Sequence, residues 1–264
     1  MNKRTTTIAA AGLGIALALT ACSNDNSDSD SASPTASSMW TTPEAPQLDL
    51  SRYGTLPAVP AGTPTVDCSY PAAEPAAKPV QAPNATGVPA EGTVTVDLTT
   101  NAGTIGIDLD RAAAPCSVAS FVSLAQQGFF DGTPCHRLST NPGLQMLQCG
   151  DPSGSGTGGP GYRFANEYPT TAYTAGDPAL QQPVVYPRGT VAMAHSAAPD
   201  SNGSQFFLVY ADSVLPPDYT VFGTMTDDGI ATVEKIAAAG DDGSSPAGGG
   251  APNTAVTVQT ATVG

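Results

Sequence analysis

Residues 94–109 read VTVDLTTNAGTIGIDL, and this stretch decides the fold class. Every second residue is apolar up to Leu98 and again from Ile105 onward, with Asn101-Ala102-Gly103 between the two runs. Alternation with a period of two on both sides of an Asn/Gly turn is typical of a β-hairpin with one buried face. The stretch therefore predicts two paired antiparallel strands.

The chain after this hairpin contains further short apolar runs separated by turns rich in Gly, Pro, Asn and Asp. These runs predict strands at Cys135–Leu138, Met146–Cys149, Thr190–Ala194, Phe206–Tyr210, Thr220–Phe222 and Ala255–Val263. Helical spacing of apolar residues occurs from Pro115 to Gly128 and from Asp228 to Gly240. About eight strands and two capping helices predict a mainly β domain over residues 91–264, closed into an antiparallel barrel because closure removes exposed strand edges.

The N-terminus has the pattern of an export signal. Met1–Arg4 is basic, and the apolar run Ile8–Leu19 is shorter than the roughly 20 residues needed to span a bilayer. Leu19-Thr20-Ala21-Cys22 resembles a bacterial lipobox, in which the cysteine is lipidated and becomes the mature N-terminus. We therefore expect a signal peptide over residues 1–21 and a palmitate-type lipid anchor at Cys22 on the extracytoplasmic face of the cell membrane. An ordinary signal peptide with an incidental cysteine is the alternative.

Residues 22–90 differ in composition from the rest of the chain. They are rich in Ser, Asp, Pro, Ala and Thr and poor in large apolar residues. Such a composition buries too little surface to offset the entropy of ordering, so it predicts a disordered tether. Cys68 and Tyr70 are the residues expected to dock a short part of this tether onto the domain.

Charge and composition exclude several functions. The chain has 9 Lys and Arg residues against 23 Asp and Glu residues, a net charge of −14, which excludes a nucleic-acid partner. Two histidines without Cys-x-x-Cys spacing argue against a structural zinc site. We expect no metal, no cofactor and a monomer.

An ordered set of motifs in residues 92–264 is highly specific. The set consists of His136-Arg137-Leu138, Gln148-Cys149-Gly150-Asp151, Gly189-Thr-Val-Ala-Met-Ala194, Ser201-Asn-Gly-Ser-Gln-Phe-Phe207 and Val221-Phe-Gly223. In this order it resembles the cyclophilin family of peptidyl-prolyl isomerases. The resemblance implies a cyclophilin-like barrel that binds Pro-containing polypeptides and assists the folding of exported proteins at the cell envelope.

The chemistry of this reaction is rotation about an X–Pro amide, over a barrier of about 18–20 kcal/mol. The twisted amide frees the lone pair of the prolyl nitrogen, so a fixed charged donor stabilises the transition state more than the ground state. The resemblance implies that Arg137 is this donor and that Gln148 braces it. The other substrate-binding residues that the resemblance implies are Met146, Ala194, His195, Gln205, Phe207, Leu215 and Tyr219.

Several positions depart from the family pattern. Leu144 and Gln145 stand where a Phe is usual, and Val214 stands where many members have Trp. The segments Ser139–Gly143 and His195–Ser201 are longer than usual, and the loop 167–187 is divergent. Loss of the Trp predicts weak cyclosporin binding. The alternative function is a non-catalytic module that binds Pro-containing segments, for which the substitution at 144–145 is the only argument.

The cysteines other than Cys22 are even in number. Cys68, Cys116, Cys135 and Cys149 would form two disulfides in an oxidising compartment, with three possible connectivities. We expect Cys68 to staple the tether to the domain. The positions of Cys135 and Cys149 relative to Arg137 and Gln148 indicate opposite faces of the sheet, which argues against that pair.

Overall fold

The computed structural model describes residues 48–264. The predicted signal peptide, the lipidation site Cys22 and tether residues 22–47 lie outside the described residues. Within them, no helix is long and apolar enough to cross a membrane.

The strands are β1 Gly54–Thr55, β2 Thr65–Val66, β3 Val88–Pro89, β4 Thr93–Thr100, β5 Gly103–Asp110, β6 Thr133–Pro134, β7 Arg137–Asn141, β8 Leu144–Cys149, β9 Val184–Tyr186, β10 Thr190–Met193, β11 Phe206–Ala211, β12 Ser213–Leu215, β13 Val221–Met225 and β14 Thr257–Val263. The helices are α1 Pro115–Gln126 and α2 Asp227–Ala237, and 3₁₀ turns occur at Leu50–Arg52, Thr170–Ala172 and Pro178–Gln181.

Nine of the strands form one sheet in the order β6-β14-β4-β5-β13-β10-β11-β8-β7. The hairpin predicted from residues 94–109 is confirmed as β4 and β5, which pair antiparallel from Thr93↔Asp110 to Thr100↔Gly103. The mainly β architecture with two helices is confirmed as well. The strand order carries Arg137 and Phe207 to neighbouring positions, on β7 and β11, on either side of β8.

The predicted closure into an eight-stranded barrel is wrong, because the sheet is a curled half-barrel with β6 and β7 at its two edges. Thr133 and Pro134 pair with β14, whereas pairing with β8 begins at Arg137. Pro134 has no backbone N–H and cannot donate to a continuing ladder. The chain therefore changes partner between Pro134 and Arg137, and the ladder is interrupted there.

The main core lies between the sheet and the two helices. Phe121 from α1 contacts Phe206 from β11 edge-on, with ring centroids 5.1 Å apart, and both rings are fully buried. Pro115 occupies the first turn of α1, where its missing N–H costs no hydrogen bond. Helix α2 is capped by Thr226, whose hydroxyl accepts from Gly229 N at 3.1 Å. These residues define where the two helices begin, and the helices pack into the main core, apart from the second apolar cluster described below.

Residues 48–90 differ from the disordered tether predicted for 22–90. They form an N-terminal strap along the domain: β2 pairs with β3, and β1 pairs in parallel with β9, which in turn pairs with β12. Tyr168 Oη donates to Pro57 O at 2.6 Å. Part of this order comes from backbone hydrogen bonds, which leave no periodic apolar pattern, so composition alone predicted disorder.

The predicted staple between the strap and the domain is confirmed, since Cys68 is disulfide-bonded to Cys116 at the start of α1. Tyr70 lies beside it, donating from Oη to Cys116 O at 2.8 Å and packing edge-on against Phe164. Lys78 Nζ donates to three backbone carbonyls just beyond the other end of α1, at Gly128, Phe129 and Asp131. The strap therefore holds both ends of this helix.

The prediction that Cys135 and Cys149 lie on opposite faces is wrong, because they form the second disulfide. Cys149 ends β8, but Cys135 precedes β7 and is not part of its alternation. Its backbone N–H donates to Val256 O, so it belongs to the segment that changes partner between β6 and β7. Face parity holds only within a continuous strand.

Candidate active site

Arg137 is held at the first position of β7 by a fork of three hydrogen bonds. Its Nε donates to Gly248 O at 2.9 Å, its Nη2 to Ala247 O at 2.7 Å, and its Nη1 to Gln148 Oε1 at 3.2 Å. A guanidinium has five N–H groups, so two remain free. The geometry fixes a planar cation while leaving donors for another group.

Gln148 lies directly across from Arg137 in the β7–β8 ladder, as its assignment as a brace requires. Its Nε2 donates to Gln205 Oε1 at 2.9 Å, and Gln205 Nε2 donates to Gly156 O and Gly158 O, both at 3.0 Å. Each amide therefore accepts at its oxygen and donates at its nitrogen, in one consistent direction. We call the set Arg137, Gln148 and Gln205 the polar relay.

A buried carboxylate anchors the far end of the polar relay. Asp151 is fully buried and accepts hydrogen bonds from Gly156 N at 2.8 Å and Gly158 N at 3.0 Å, as well as from Ser153. Burial acts to raise the pKa of Asp151, but the hydrogen bonds together outweigh it and the pKa is lowered. The carboxylate therefore stays charged and holds the loop whose carbonyls hold Gln205.

A second apolar cluster, separate from the main core, lies beside the relay, and we call it the apolar pocket. Four buried side chains form its centre, namely Met146, Ala192, Phe207 and Val209. Leu144, Ala194, Leu215, Tyr219 and Val221 pack around them. The prediction that the Phe206-Phe207 pair splits between two faces is confirmed, because Phe206 lies in the main core and Phe207 in this pocket.

The residues that depart from the family pattern lie at the edge of the apolar pocket and on the neighbouring strand β12. Leu144 packs into the apolar pocket and Gln145 does not, so the longer hairpin places an apolar side chain where an aromatic one is expected. Val214 lies on β12, with its N–H donating to Gly143 O at 2.8 Å. Val214 pairs with Val185 of β9, and Val185 belongs to the divergent loop 167–187.

The remaining predicted residues form one wall of the pocket. His195 stacks on Tyr219 with ring centroids 4.4 Å apart, and Tyr219 meets Phe207 edge-on at 5.7 Å. A groove of about 500 Å³ continues from Gln148 past Ala194 and His195 to Glu74 of the strap. Every predicted site residue within residues 48–264 is thus brought to this one region.

The electrostatics of the site follow from partial burial. Burial lowers the pKa of Arg137 from its ordinary value, and Tyr219 opposes that change. The guanidinium nevertheless stays protonated, since arginine is not deprotonated in proteins. Burial is also the main cause of the lowered pKa of His136, with Arg137 acting in the same direction and Asp151 against it. The lowered pKa favours the neutral form of His136, the residue next to Arg137.

Two residues of the site were missed in the sequence. The carbonyls of Ala247 and Gly248 accept two of the three hydrogen bonds from Arg137. They belong to the segment 241–250, which we call the C-terminal loop and which contains four glycines. That glycine content is the only sequence signal, because the contribution comes from the backbone rather than from side chains.

Comparison with known proteins assigns the family. Residues 95–263 match the family model described as Cyclophilin type peptidyl-prolyl cis-trans isomerase/CLD. The chain belongs to the cyclophilin-type peptidyl-prolyl cis-trans isomerases. It is therefore an isomerase that acts on X–Pro bonds, as the sequence motifs predicted.

Among curated relatives, the cyclophilins of mycobacteria are similar over most of the chain. The chain is 55% identical over 212 residues to a protein named probable peptidyl-prolyl cis-trans isomerase B of Mycobacterium tuberculosis, covering 77% of this chain and 67% of that protein. It is 56% identical over 201 residues to the protein of the same name from Mycobacterium leprae, covering 74% and 65%. The alignments thus span about two thirds of each relative.

Solved cyclophilin structures support the fold. A crystal structure of a cyclophilin type isomerase of Cryptosporidium parvum aligns with a TM-score of 0.52 at 26% identity, covering 66% of this chain and 98% of that one. A structure of the same protein in the presence of the dipeptide Ala-Pro aligns with a TM-score of 0.51 at 27% identity. Both alignments cover about two thirds of this chain and nearly all of the other.

Proposed function

We propose that Arg137 is the catalytic residue and that the apolar pocket of Met146, Phe207 and Leu215 holds the proline ring. The observation that carries this assignment is the fork of hydrogen bonds that fixes Arg137 beside the pocket with two N–H groups unused. The presence of Ala-Pro in the related crystal structure supports a pocket for Pro-containing peptides.

The proposed mechanism needs only positioning and electrostatics. As the X–Pro bond twists, conjugation is lost and the prolyl nitrogen becomes a hydrogen-bond acceptor. A free N–H of Arg137 donates to it, and the donor is already oriented, so little reorganisation is needed in the transition state. Gln148 keeps one free amide N–H, which we assign to the carbonyl of the peptide. Ala194, His195 and Gln205 line the backbone of the bound segment.

The test is turnover of a Pro-containing peptide by the wild type and two variants. Arg137→Ala is expected to lose about 10²–10³-fold in kcat/KM, the scale for one preorganised transition-state donor. Peptide affinity should change much less, because the apolar contacts remain. Lys235→Ala, on the exposed side of α2, is the control and should match the wild type. Full activity in a folded Arg137→Ala variant would refute the assignment and favour a role in binding alone.

We further propose that the enzyme acts on exported proteins at the outer face of the cell membrane, anchored by lipid at Cys22. The lipobox-like sequence Leu19-Thr20-Ala21-Cys22 supports anchoring, and two disulfides support an oxidising compartment. The wild type should partition into the detergent phase of a membrane extract, and Cys22→Ser should not. Equal partitioning of the two would exclude the anchor.

Weak cyclosporin binding and a monomeric state complete the proposal. Val214 lies beside the β7–β8 turn, where a Trp would add an aromatic surface and an indole donor. Val214→Trp should therefore lower the inhibitory concentration of cyclosporin while leaving peptide turnover near the wild-type value. Equal inhibition of both proteins would contradict this role for position 214. Sedimentation of the mature chain tests the monomer.

A further inference from the structure

The aromatic wall of the apolar pocket is held by a pair of side chains with incomplete hydrogen bonding. His195 lies on the ring of Tyr219, with an interplanar angle of 27°, and Tyr219 in turn contacts Phe207. His195 Nε2 lies 3.9 Å from Asp218 Oδ1, and the His195 side chain is only 10% exposed. Asp218 is thus next to the ring that buttresses the pocket.

The hydrogen bond at the other ring nitrogen fixes the tautomer. His195 Nδ1 is 2.8 Å from Ser196 O, and a carbonyl oxygen can only accept, so Nδ1 carries a proton. In a neutral imidazole, Nε2 then has only its lone pair. It faces a carboxylate oxygen of Asp218, which is also an acceptor.

This arrangement is unfavourable for a neutral ring. His195 Nε2 and Asp218 Oδ1 are both buried, and neither has a hydrogen-bond partner among the described residues. The Asp218 side chain is 43% exposed overall, but the two acceptor atoms that face each other are both out of contact with water and repel one another. A second proton on the imidazole removes the conflict, because the imidazolium then forms an ion pair with Asp218 across 3.9 Å.

We propose that His195 is a positioning residue that binds this second proton and, as imidazolium, pairs with Asp218 to fix Tyr219 against Phe207. Protonation also strengthens the stacking of His195 on Tyr219, since a cation over an aromatic face is attracted by the ring. The inference rests on the proposed role of Phe207 in the apolar pocket. Its consequence is a substrate affinity that depends on pH.

The other charged groups near the pair are few. Asp218 and Tyr219 face His195 from the segment between β12 and β13, and the exposed Asp200 lies on its own loop. The pKa of Tyr219 is raised, mainly by burial and next by Asp218. Arg137, on β7, opposes this change. Arg137 opposes a second cation, whereas Asp218, whose Oδ1 lies 3.9 Å from His195 Nε2, favours one. Within the described residues Asp218 is the only carboxylate within 4.0 Å of the imidazole nitrogens.

The sign of the effect follows from the pair. Histidines titrate over about pH 5 to 8. At the acidic end the imidazolium pairs with Asp218 and the wall is fixed. As the pH rises the proton leaves, the two acceptors oppose each other again, and Tyr219 loses its support. We expect KM to rise about 2- to 5-fold between pH 5.5 and 8, the scale of one partly exposed ion pair. The kcat value should not follow, since the polar relay does not include His195.

Substitutions of Asp218 separate this proposal from a merely structural role. In Asp218→Asn the amide can donate to a neutral Nε2 or accept from a protonated one, so KM should be low and independent of pH. In Asp218→Ala neither contact is possible, so KM should be high at every pH. Asp228→Asn removes one exposed carboxylate from α2 and should keep the wild-type pH profile.

The experiment measures kcat and KM by NMR exchange on an unlabelled Ala-Pro peptide from pH 5.5 to 8.5. In parallel, the imidazole signals of the two histidines are titrated, with His195→Asn used to assign them. We expect the His195 signal to titrate at higher pH in the wild type than in Asp218→Ala. The proposal is overturned by a wild-type KM that does not change with pH, or by the same His195 titration in both proteins. The titration does not require turnover, so it decides the pair even if Arg137→Ala shows that the catalytic assignment is wrong.

Discussion

Arg137 and Gln148 face each other across β7 and β8, and the guanidinium donates to the amide oxygen at 3.2 Å. This pairing also fixes the orientation of the Gln148 amide. Because Gln148 accepts from Arg137, its nitrogen must donate, and it does so to Gln205. The position of the charged donor is therefore coupled to the loop that Gln205 contacts.

Arg137→Lys tests whether geometry matters beyond charge. A lysine keeps the cation but cannot donate simultaneously to Gln148 and to the two carbonyls of the C-terminal loop. We expect kcat/KM to fall by about 10²-fold, with peptide affinity within about threefold of the wild type. Turnover and peptide binding measured on the same sample provide the test. Near-normal turnover in Arg137→Lys would mean that a mobile point charge is sufficient.

How much of this site could be predicted depends on the range of the interactions. The hairpin 94–109 and the split between Phe206 and Phe207 depend on alternation within one strand, which the sequence shows directly. The strap and the interrupted ladder at Pro134 depend on pairing between distant segments. Such pairing is made by backbone groups that all residues share, so no side-chain pattern marks it.

The two disulfides should differ in what they contribute. Cys68 and Cys116 are 48 residues apart and Cys135 and Cys149 only 14, so loop closure stabilises the fold by about 4 and about 3 kcal/mol respectively. Paired substitutions to alanine, followed by denaturant unfolding, measure these losses. Only the second pair adjoins the polar relay, so only its removal should also lower kcat/KM. A loss of activity confined to the Cys68 and Cys116 variant would contradict this division.

Glu167 gives the stability a specific pH dependence. Its buried carboxylate accepts from Cys116 N at 2.9 Å, Ser117 N at 2.8 Å and Ser117 Oγ at 2.6 Å, at the start of α1. Burial raises its pKa above the ordinary value, although these hydrogen bonds oppose the change. A raised folded-state pKa means that the folded protein binds the proton more tightly. Its contribution to stability is therefore present at low pH and is lost as the pH rises through the folded-state pKa.

The Glu167→Gln variant isolates this contribution. The Tm of the wild type minus that of Glu167→Gln should decrease as the pH rises from 4 to 7, because only the wild type loses the protonated carboxyl. Thermal unfolding at several pH values measures the difference and cancels the titration of other groups. Glu91→Gln removes an exposed carboxylate and is the control for net charge. A difference that grows with pH would show that the hydrogen bonds outweigh burial.

Gly249 tests whether the C-terminal loop positions Arg137. Its φ of +70° is strained for other residues, and an added Cβ would collide with the carbonyl oxygen of Leu138 on β7. Leu138 and Gly250 exchange backbone hydrogen bonds at 2.7 and 2.9 Å, which dock the loop on the strand. Gly249→Ala should therefore push the loop away from β7 and withdraw Gly248 O from Arg137 Nε.

Gly243 provides a matched control in the same loop. Its φ of +67° carries the same strain for alanine, but an added Cβ there meets nothing within 4 Å. Gly243→Ala should cost about 1–2 kcal/mol of stability and leave kcat/KM unchanged. Gly249→Ala should cost more and also lower kcat/KM by about 10- to 100-fold, the scale for displacing a catalytic group by about 1 Å. If Gly249→Ala loses stability but keeps full turnover, the carbonyls of Ala247 and Gly248 are not needed to orient Arg137, and the pairing with Gln148 is sufficient to hold the donor.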